Sequence, residues 1–433
     1  MKESRTRGPA RLVAELKLMY HAVRISPNLG VLLSAGIVSW LAAGILSPVL
    51  PLFLRSKGIS FQGLGYIFSA AAVMPVLLQP LMGWLADRVG RRIMIVSTSF
   101  FISLVLPVYA FLSSVKGFAV VHAARVAVAT SSMPAINAMM GDVTPAASRA
   151  TVFGVYGSFQ TLAYVVALFG SGLLLKAGLG YSVAFYVSSG LFLVSSLVLL
   201  VWLRETVGLS APAGAADGGA GLRVEAARPR PRLPLVESLR LVLGSRSLTG
   251  LMLLQFCFGF SLAAFPAYIP LHAERLGAER EWIGGIVATA WLTYALMQPL
   301  GGRTSDRLRR RKGLLLLGLG LIFLSVLLLG LARSLWPMIV FWAATGIGDG
   351  LYRPGYSALI VDLVPAQARG RYFGAVGAAM TLAGVLAPLL YGFLADRCGI
   401  PSAFLASAAA LVVGWCLAWA LIAEKPRPRG EGA

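Results

Sequence analysis

Twelve apolar stretches divide this chain, and they fall into two sets of six. They lie at about 29–53, 61–83, 93–115, 117–140, 151–175 and 181–203, then at 247–271, 282–302, 313–332, 336–359, 371–394 and 401–423. A helix needs ~20 apolar residues to cross the hydrocarbon core of a bilayer, and each run is about that long. Setting aside Arg371 at the edge of the eleventh, ten of them contain no Asp, Glu, Lys or Arg. Inside a bilayer only helices and closed barrels satisfy every backbone polar group. Barrel strands alternate apolar and polar residues, and these runs do not. The expected fold is therefore an all-α membrane protein with 12 transmembrane helices in two six-helix bundles. Composition agrees, with 58% hydrophobic and 13% charged residues, where soluble domains carry roughly 25% charged.

A net charge of +21 invites a nucleic-acid partner, but the distribution argues against one. The basic residues sit in short clusters between the apolar runs, as at the cytoplasmic ends of membrane helices. With the N-terminus inside, 28 Lys and Arg fall in cytoplasmic segments, 8 in outer loops and 2 within spans. That asymmetry places both termini in the cytoplasm of a multi-pass protein of the inner (plasma) membrane. The three cysteines, Cys257, Cys398 and Cys416, are too scattered to form a disulfide framework. The first 28 residues are polar or amphipathic, and the run after them is long enough to span, so it reads as an uncleaved first helix.

The expected organisation follows. Residues 1–28 form a tail whose segment 11–24 is basic and amphipathic, suited either to the inner membrane surface or to a solvated helix. Residues 29–203 form the first bundle and 247–424 the second. Between them, 204–246 holds APAGAADGGAG and ARPRPRLP, a composition that buries no core and reads as a cytoplasmic linker. Residues 425–433 are a second tail.

The two halves repeat one another. Gln79-Pro80-Leu81-x-Gly83-x-x-x-Asp87-Arg88, followed by Gly90-Arg91-Arg92, returns 219 positions later as Gln298-Pro299-Leu300-x-Gly302-x-x-x-Asp306-Arg307, followed by Arg309, Arg310 and Arg311. Asp142, Pro145, Arg149, Phe153 and Gly154 match Asp362, Pro365, Arg369, Phe373 and Gly374 at an offset of 220. Leu50-Pro51-Leu52 to Gly58 is echoed by Ile269-Pro270-Leu271 to Gly277. Two homologous six-helix repeats about an axis along the membrane normal are a secondary-transporter architecture.

On these residues the chain resembles the major facilitator superfamily over about 29–424. GWLADRVGRR at 83–92 is similar to the family signature between helices 2 and 3, and GGRTSDRLRRRK at 301–312 to its echo between helices 8 and 9. The DxxPxxxRxxxFG stretches look like those of drug:proton antiporters, the nearest subgroup. Two features depart from that subgroup. The fifth span, TLAYVVALFGSGLL, lacks the Gly-Pro step, and Arg125 is followed by Val128 and Ala129 rather than by Gln-Gly.

The resemblance implies that Gly83, Asp87, Arg88, Gly90 and Arg91 form a cytoplasmic gate. Asp87 would sit at the N-terminal end of the eleventh span near Arg371 to Gly374, and Arg91 would pair with Asp142. By the repeat, Asp306, in a motif with Arg307, would face the start of the fifth span, and Arg310 would pair with Asp362. A carboxylate at a helix N-terminus is worth about 0.3–1 kcal/mol. Arg92, Arg309 and Arg311 are read as topology signals only.

Within the spans only Arg125, Asp349 and Arg353 are charged. Asp349 and Arg353 are four apart on one helix face and can pair. Asp349 lies ~20 Å from the outer end of its span, near mid-membrane, where burial disfavours its charge and Arg353 favours it. Ionisable groups at that depth are functional by default, although a structural ion pair is the competing reading. Arg125, ~12 Å deep, either lines a cavity or snorkels outward. The family fold implies a central cavity lined by helices 1, 4, 7 and 10. Trp40, Asn137, Gln255, Tyr268 and Tyr352 lie on those helices and could complete a pocket, or could serve packing alone. Gln79 and Gln298 could serve a substrate or a carbonyl freed by the proline beside each.

No lysine precedes Ser or Thr, so there is no Walker A loop, and no HExxH is present. Gly355-Tyr356-Ser357-Ala358 lacks a placed histidine, so an enzyme is not expected. Neither a cofactor nor a metal is expected. The expected function is a proton-coupled secondary transporter, an exporter of drugs or metabolites, monomeric, with protons, a small-molecule substrate and the lipid bilayer as its partners. Two arginines against one aspartate leave an organic anion or amphiphile as the other substrate class. A non-transporting sensor on the same fold is the remaining alternative.

Overall fold

A computed structural model describes residues 26–144, 149–206, 244–308, 311–364 and 369–423. The amphipathic 11–24 segment, most of the linker and the C-terminal tail lie outside them. The described residues are helical almost throughout. In the first half these are α1 (Pro27–Ser56), α2 (Phe61–Val89), α3 (Arg91–Val108), α4 (Val115–Val143), α5 (Arg149–Lys176) and α6 (Tyr181–Trp202). The second half holds α7 (Arg246–Leu262), α8 (Phe265–Arg275), α9 (Arg280–Arg307), α10 (Lys312–Leu331), α11 (Leu335–Leu363), α12 (Arg369–Cys398) and α13 (Pro401–Leu421).

Ten helical segments are long and apolar enough to cross a membrane, with Arg246–Arg275 counted as one. The other two, α2 and α11, have 29 residues each, about 43 Å of helix. One boundary differs from the sequence reading. The seventh span is not a single helix but breaks between Leu262 and Phe265. Pro266 follows the break, where it has no N–H for the preceding turn and fits the first turn of α8. Many large apolar side chains stay uncovered, among them Val120 and Leu173 at 69% and Leu317 at 63% exposed. Such a surface suits lipid rather than water.

The structure carries the repeat at the level of single bonds and turns. Leu335–Leu363 follows Val115–Val143 by 220 positions at both ends. The Ser188 hydroxyl donates to the Ala42 carbonyl at 3.0 Å, and the Ser407 hydroxyl to the Ser261 carbonyl at 3.3 Å, 219 positions on. Gly58 and Gly277 close equivalent helices with φ of 78° and 89°, a conformation glycine adopts without a Cβ clash.

The chain forms two compact units. Of the described residues, the first holds those within 26–206, 266–291 and 388–400; the second holds those within 244–265, 292–387 and 401–423. In the first, α1 packs on α5 and α6, α2 on α4, and α3 on α4 and α6. Its core joins Leu29, Leu32, Met94, Ile95, Met139 and Leu199. In the second, α10 packs on α11 and α13, and α13 on α7.

Candidate functional site

Four groups of residues stand out, two within the helices and two at their ends. In the first unit a cavity of about 190 Å³ opens among α1, α3, α4, α5 and α6. Arg125 lines it, as does Trp40, whose ring meets Tyr164 edge-on with centroids 5.7 Å apart. Its walls also hold Ser39, Thr98, Tyr156 and Gln160. The Arg125 guanidinium is held by the buried Tyr109 hydroxyl, which in turn lies 2.9 Å from His122 Nδ1. Its Nε is buried without a hydrogen-bond partner. Arg125 thus reaches into the bundle rather than to the outer surface. Asn137 is exposed on α4 and is not part of this lining.

In the second unit Arg353 Nε donates to both carboxylate oxygens of Asp349, at 2.7 and 2.9 Å. The guanidinium lies over the rings of Phe258 and Tyr294, 5.6 and 5.5 Å from their centroids. The i, i+4 spacing aligns the two groups, and the aromatic rings supply a further cation contact. Tyr352 and Gln255 occupy a different environment from the one the sequence suggests. Tyr352 is 1% exposed, stacks on Phe258 and donates to Gln255 Oε1 at 2.9 Å. The Gln255 amide then donates to Met380 Sδ at 3.0 Å. Each finds its polar partner inside the helix packing, so neither lines an open cavity in this conformation. Gln298 hydrogen-bonds Tyr294.

The α2–α3 and α9–α10 turns carry the gate-like signature. Arg91 donates to an Asp142 oxygen, so the two are brought together. Gly90 caps α3 with φ 104°, and a Cβ there would meet the Glu205 carboxylate at 2.7 Å. That carboxylate accepts from Arg92 N–H at 3.0 Å, while Arg92 Nη2 donates to the Leu200 carbonyl at 2.6 Å. Arg92 is therefore a structural tie as well as a topology signal. In the second copy Asp362 meets Arg311, at 3.3 Å, and Arg310 lies outside the described residues. Arg311, read from sequence as a topology charge alone, is 7% exposed and ion-paired. The segment between α9 and α10 is longer than the single residue between α2 and α3. The side chains of Gly83, Asp87, Asp306 and Arg307 lie outside the description. Arg88 is exposed at the end of α2.

The opposite helix ends carry a feature the sequence reading missed. Within the first unit, α2 crosses the end of α12, and α5 crosses the start of α9. A Cβ on Gly65 would overlap the Pro388 carbonyl, and one on Gly284 would overlap that of Leu168. Gly392 meets Phe61 in the same way, and Gly172 meets Glu281. These contacts are repeat-related, since 284 follows 65 by 219 positions and 392 follows 172 by 220. Each crossing ends in a polar tie. Asp396 accepts from the N–H groups of Phe61 and Gln62, at 2.9 and 2.8 Å, across the N-terminus of α2. Lys176 pairs with Glu281 at 3.0 Å. Tyr268 lies here too, stacked 6.2 Å from Phe61 and edge-on to Tyr391. It belongs to this cluster, not to a substrate cavity.

Comparison with known proteins adds the following. The sequence pattern of the Major Facilitator Superfamily matches residues 32–291 and 251–433. An uncharacterised MFS-type transporter of Methanocaldococcus jannaschii is 20% identical over 394 residues, covering 90% of this chain and 97% of that protein. Multidrug resistance protein MdtG of Dickeya zeae is 31% identical over 183 residues, 40% of this chain and 44% of that protein. The chain thus aligns with less than half the length of MdtG. Among solved structures, a bacterial homologue of the human lysosomal transporter Spinster, inward-facing and unoccupied, superposes with a TM-score of 0.74 at 16% identity. That match covers 91% of this chain and 96% of the other. The nucleoside transporter NupG gives a TM-score of 0.76 at 12% identity, over 91% of this chain and 100% of that one.

Proposed function

This chain belongs to the major facilitator superfamily and is a multi-pass membrane transporter, and from that premise we propose that it is a proton-coupled exporter working by alternating access. In this reading both termini are cytoplasmic, the protein is a monomer of the inner membrane, and the two bundles rock about a substrate site. Efflux is supported by the MdtG relatives, with the aligned region under half of their length. Alternating access is supported by the polar ties that join helices of the two halves at one set of helix ends, while the ties at the other set each lie within one half. Arg91–Asp142 and Arg311–Asp362 belong to the cytoplasmic side, the Asp396 and Lys176–Glu281 ties to the outer side. Asp87 and Asp306 complete the cytoplasmic gate.

The observation that carries proton coupling is the Asp349–Arg353 pair. Asp349 is the one acidic side chain within the apolar runs, and it is mostly buried. Binding a proton there frees Arg353, and losing it restores the pair, so a single carboxylate links protonation to the state of α11. Asp349→Asn is expected to abolish accumulation driven by a pH gradient in inside-out vesicles while leaving substrate exchange measurable. A static ion pair predicts otherwise: neutralising both residues together would restore transport with its pH dependence intact. That result would remove Asp349 from the coupling step.

A further inference from the structure

The Arg125 cavity is charged on one side only. Among the described residues lining it there is no carboxylate, and Arg125 makes no ion pair. The other in-span arginine, Arg353, is neutralised by Asp349. Tyr109 holds the Arg125 guanidinium through a neutral phenol, which positions the charge without cancelling it. A half-buried guanidinium that no carboxylate neutralises carries a desolvation penalty that an incoming oxyanion would relieve. The remaining polar groups have donor hydrogens already committed, which leaves Arg125 as the charged donor of the cavity. The Thr98 hydroxyl donates to the Met94 carbonyl at 2.7 Å, Ser39 is bonded to Ser195 at 2.9 Å, and Gln160 is bonded to Tyr156. Around them the wall is apolar, with Leu32, Ile95, Ile102, Ile136 and Phe192. At about 190 Å³ the cavity is smaller than the ~300–1,000 Å³ of pockets that enclose a drug-sized molecule.

We propose that this cavity is a subsite for the anionic head and first methylenes of a monoanionic amphiphile, with Arg125 as the residue that selects the charge. The assignment rests on the transporter reading above and names its substrate class. One guanidinium facing no carboxylate sets a ligand charge of minus one. The cavity's volume limits it to one end of the molecule, and its apolar wall asks for a hydrocarbon chain beside the head. Arg125 acts by a charge-assisted hydrogen bond from a desolvated site, where such bonds are stronger than in water.

The test is equilibrium binding by calorimetry to the full chain in lipid nanodiscs, with empty nanodiscs subtracted. Because it needs no flux, its result is separate from whether the protein is an exporter. Three probes share one chain and differ in charge: octanesulfonate, octanol and octyltrimethylammonium. The parent should bind octanesulfonate most tightly and octyltrimethylammonium least. Arg125→Gln should weaken octanesulfonate by about tenfold or more. Octanol binding, which reports an intact apolar wall, should be unchanged in that variant. Arg125→Lys, which keeps a charge but loses the planar fork, should retain part of the sulfonate affinity. Equal octanesulfonate affinity in the parent and Arg125→Gln would overturn the assignment, as would tighter binding of the cation by the parent.

Discussion

Each charged residue that this chain places in a membrane span stands out because lipid offers it no solvation. Arg125, Asp349 and Arg353 are legible in the sequence for that reason, and the structure gives each a defined setting. Neutral polar side chains are not legible in the same way. Tyr352, Gln255 and Tyr268 look like cavity residues on a helical wheel, yet the first two are hydrogen-bonded inside packing and the ring of the third is stacked there, by neighbours far away in sequence. Conversely, Glu205 and Gln160 attract no notice until the fold brings them to Gly90 and Tyr156. At the α2–α3 turn the Arg91–Asp142 pair joins the start of α3 to the end of α4. Both partners are partly exposed, so the pair is worth only about 0.2–1 kcal/mol to stability. Charge reversal should still matter if this pair belongs to the proposed gate, because it puts like charges together there. Arg91→Asp or Asp142→Arg alone should lower transport more than expression, and the swapped double variant should recover part of the loss. Measured flux equal to the parent in all three would reduce this pair to a topology signal.

At the scale of helices, the crossings of α2 with α12 and of α5 with α9 depend on glycine. Gly65, Gly172, Gly284 and Gly392 let backbones touch where any side chain would collide with a carbonyl. Their repeat spacing was present in the sequence, but 48 glycines make any four inconspicuous without a fold to connect them. The two crossings share geometry and differ in chemistry, a carboxylate on a helix N-terminus in one and an ion pair in the other. Closure of this face should therefore be separable from the gate proposed at the α2–α3 and α9–α10 turns. In a background lacking Cys257, Cys398 and Cys416, cysteines at Lys176 and Glu281 should be bridged efficiently by a short bifunctional thiol reagent, since the tips of the longer native side chains meet at 3.0 Å. Adding Gly284→Leu should sharply reduce the crosslink by holding α5 and α9 apart. Undiminished crosslinking would mean that the glycine contact does not govern this face.

For the whole molecule, hydropathy was enough to reach a twelve-span helical fold, because the bilayer admits so few solutions, and the internal repeat pointed from there to a transporter. The break between α7 and α8 and the grouping of 266–291 and 388–400 with the first half were not legible, since both depend on tertiary packing. Orientation is directly testable. A cysteine in the 204–246 linker should resist an impermeant thiol reagent in intact cells, while one replacing Glu279 should react, and the reverse pattern would invert the topology. Proton coupling is the claim on which the rest depends. It is measured by loading proteoliposomes with octanesulfonate and a trapped pH dye, clamping the membrane potential, and diluting them into sulfonate-free buffer. As the sulfonate leaves, the lumen should acidify with the parent protein and stay unchanged with Asp349→Asn. Sulfonate efflux through the parent with no change in lumen pH would contradict proton exchange.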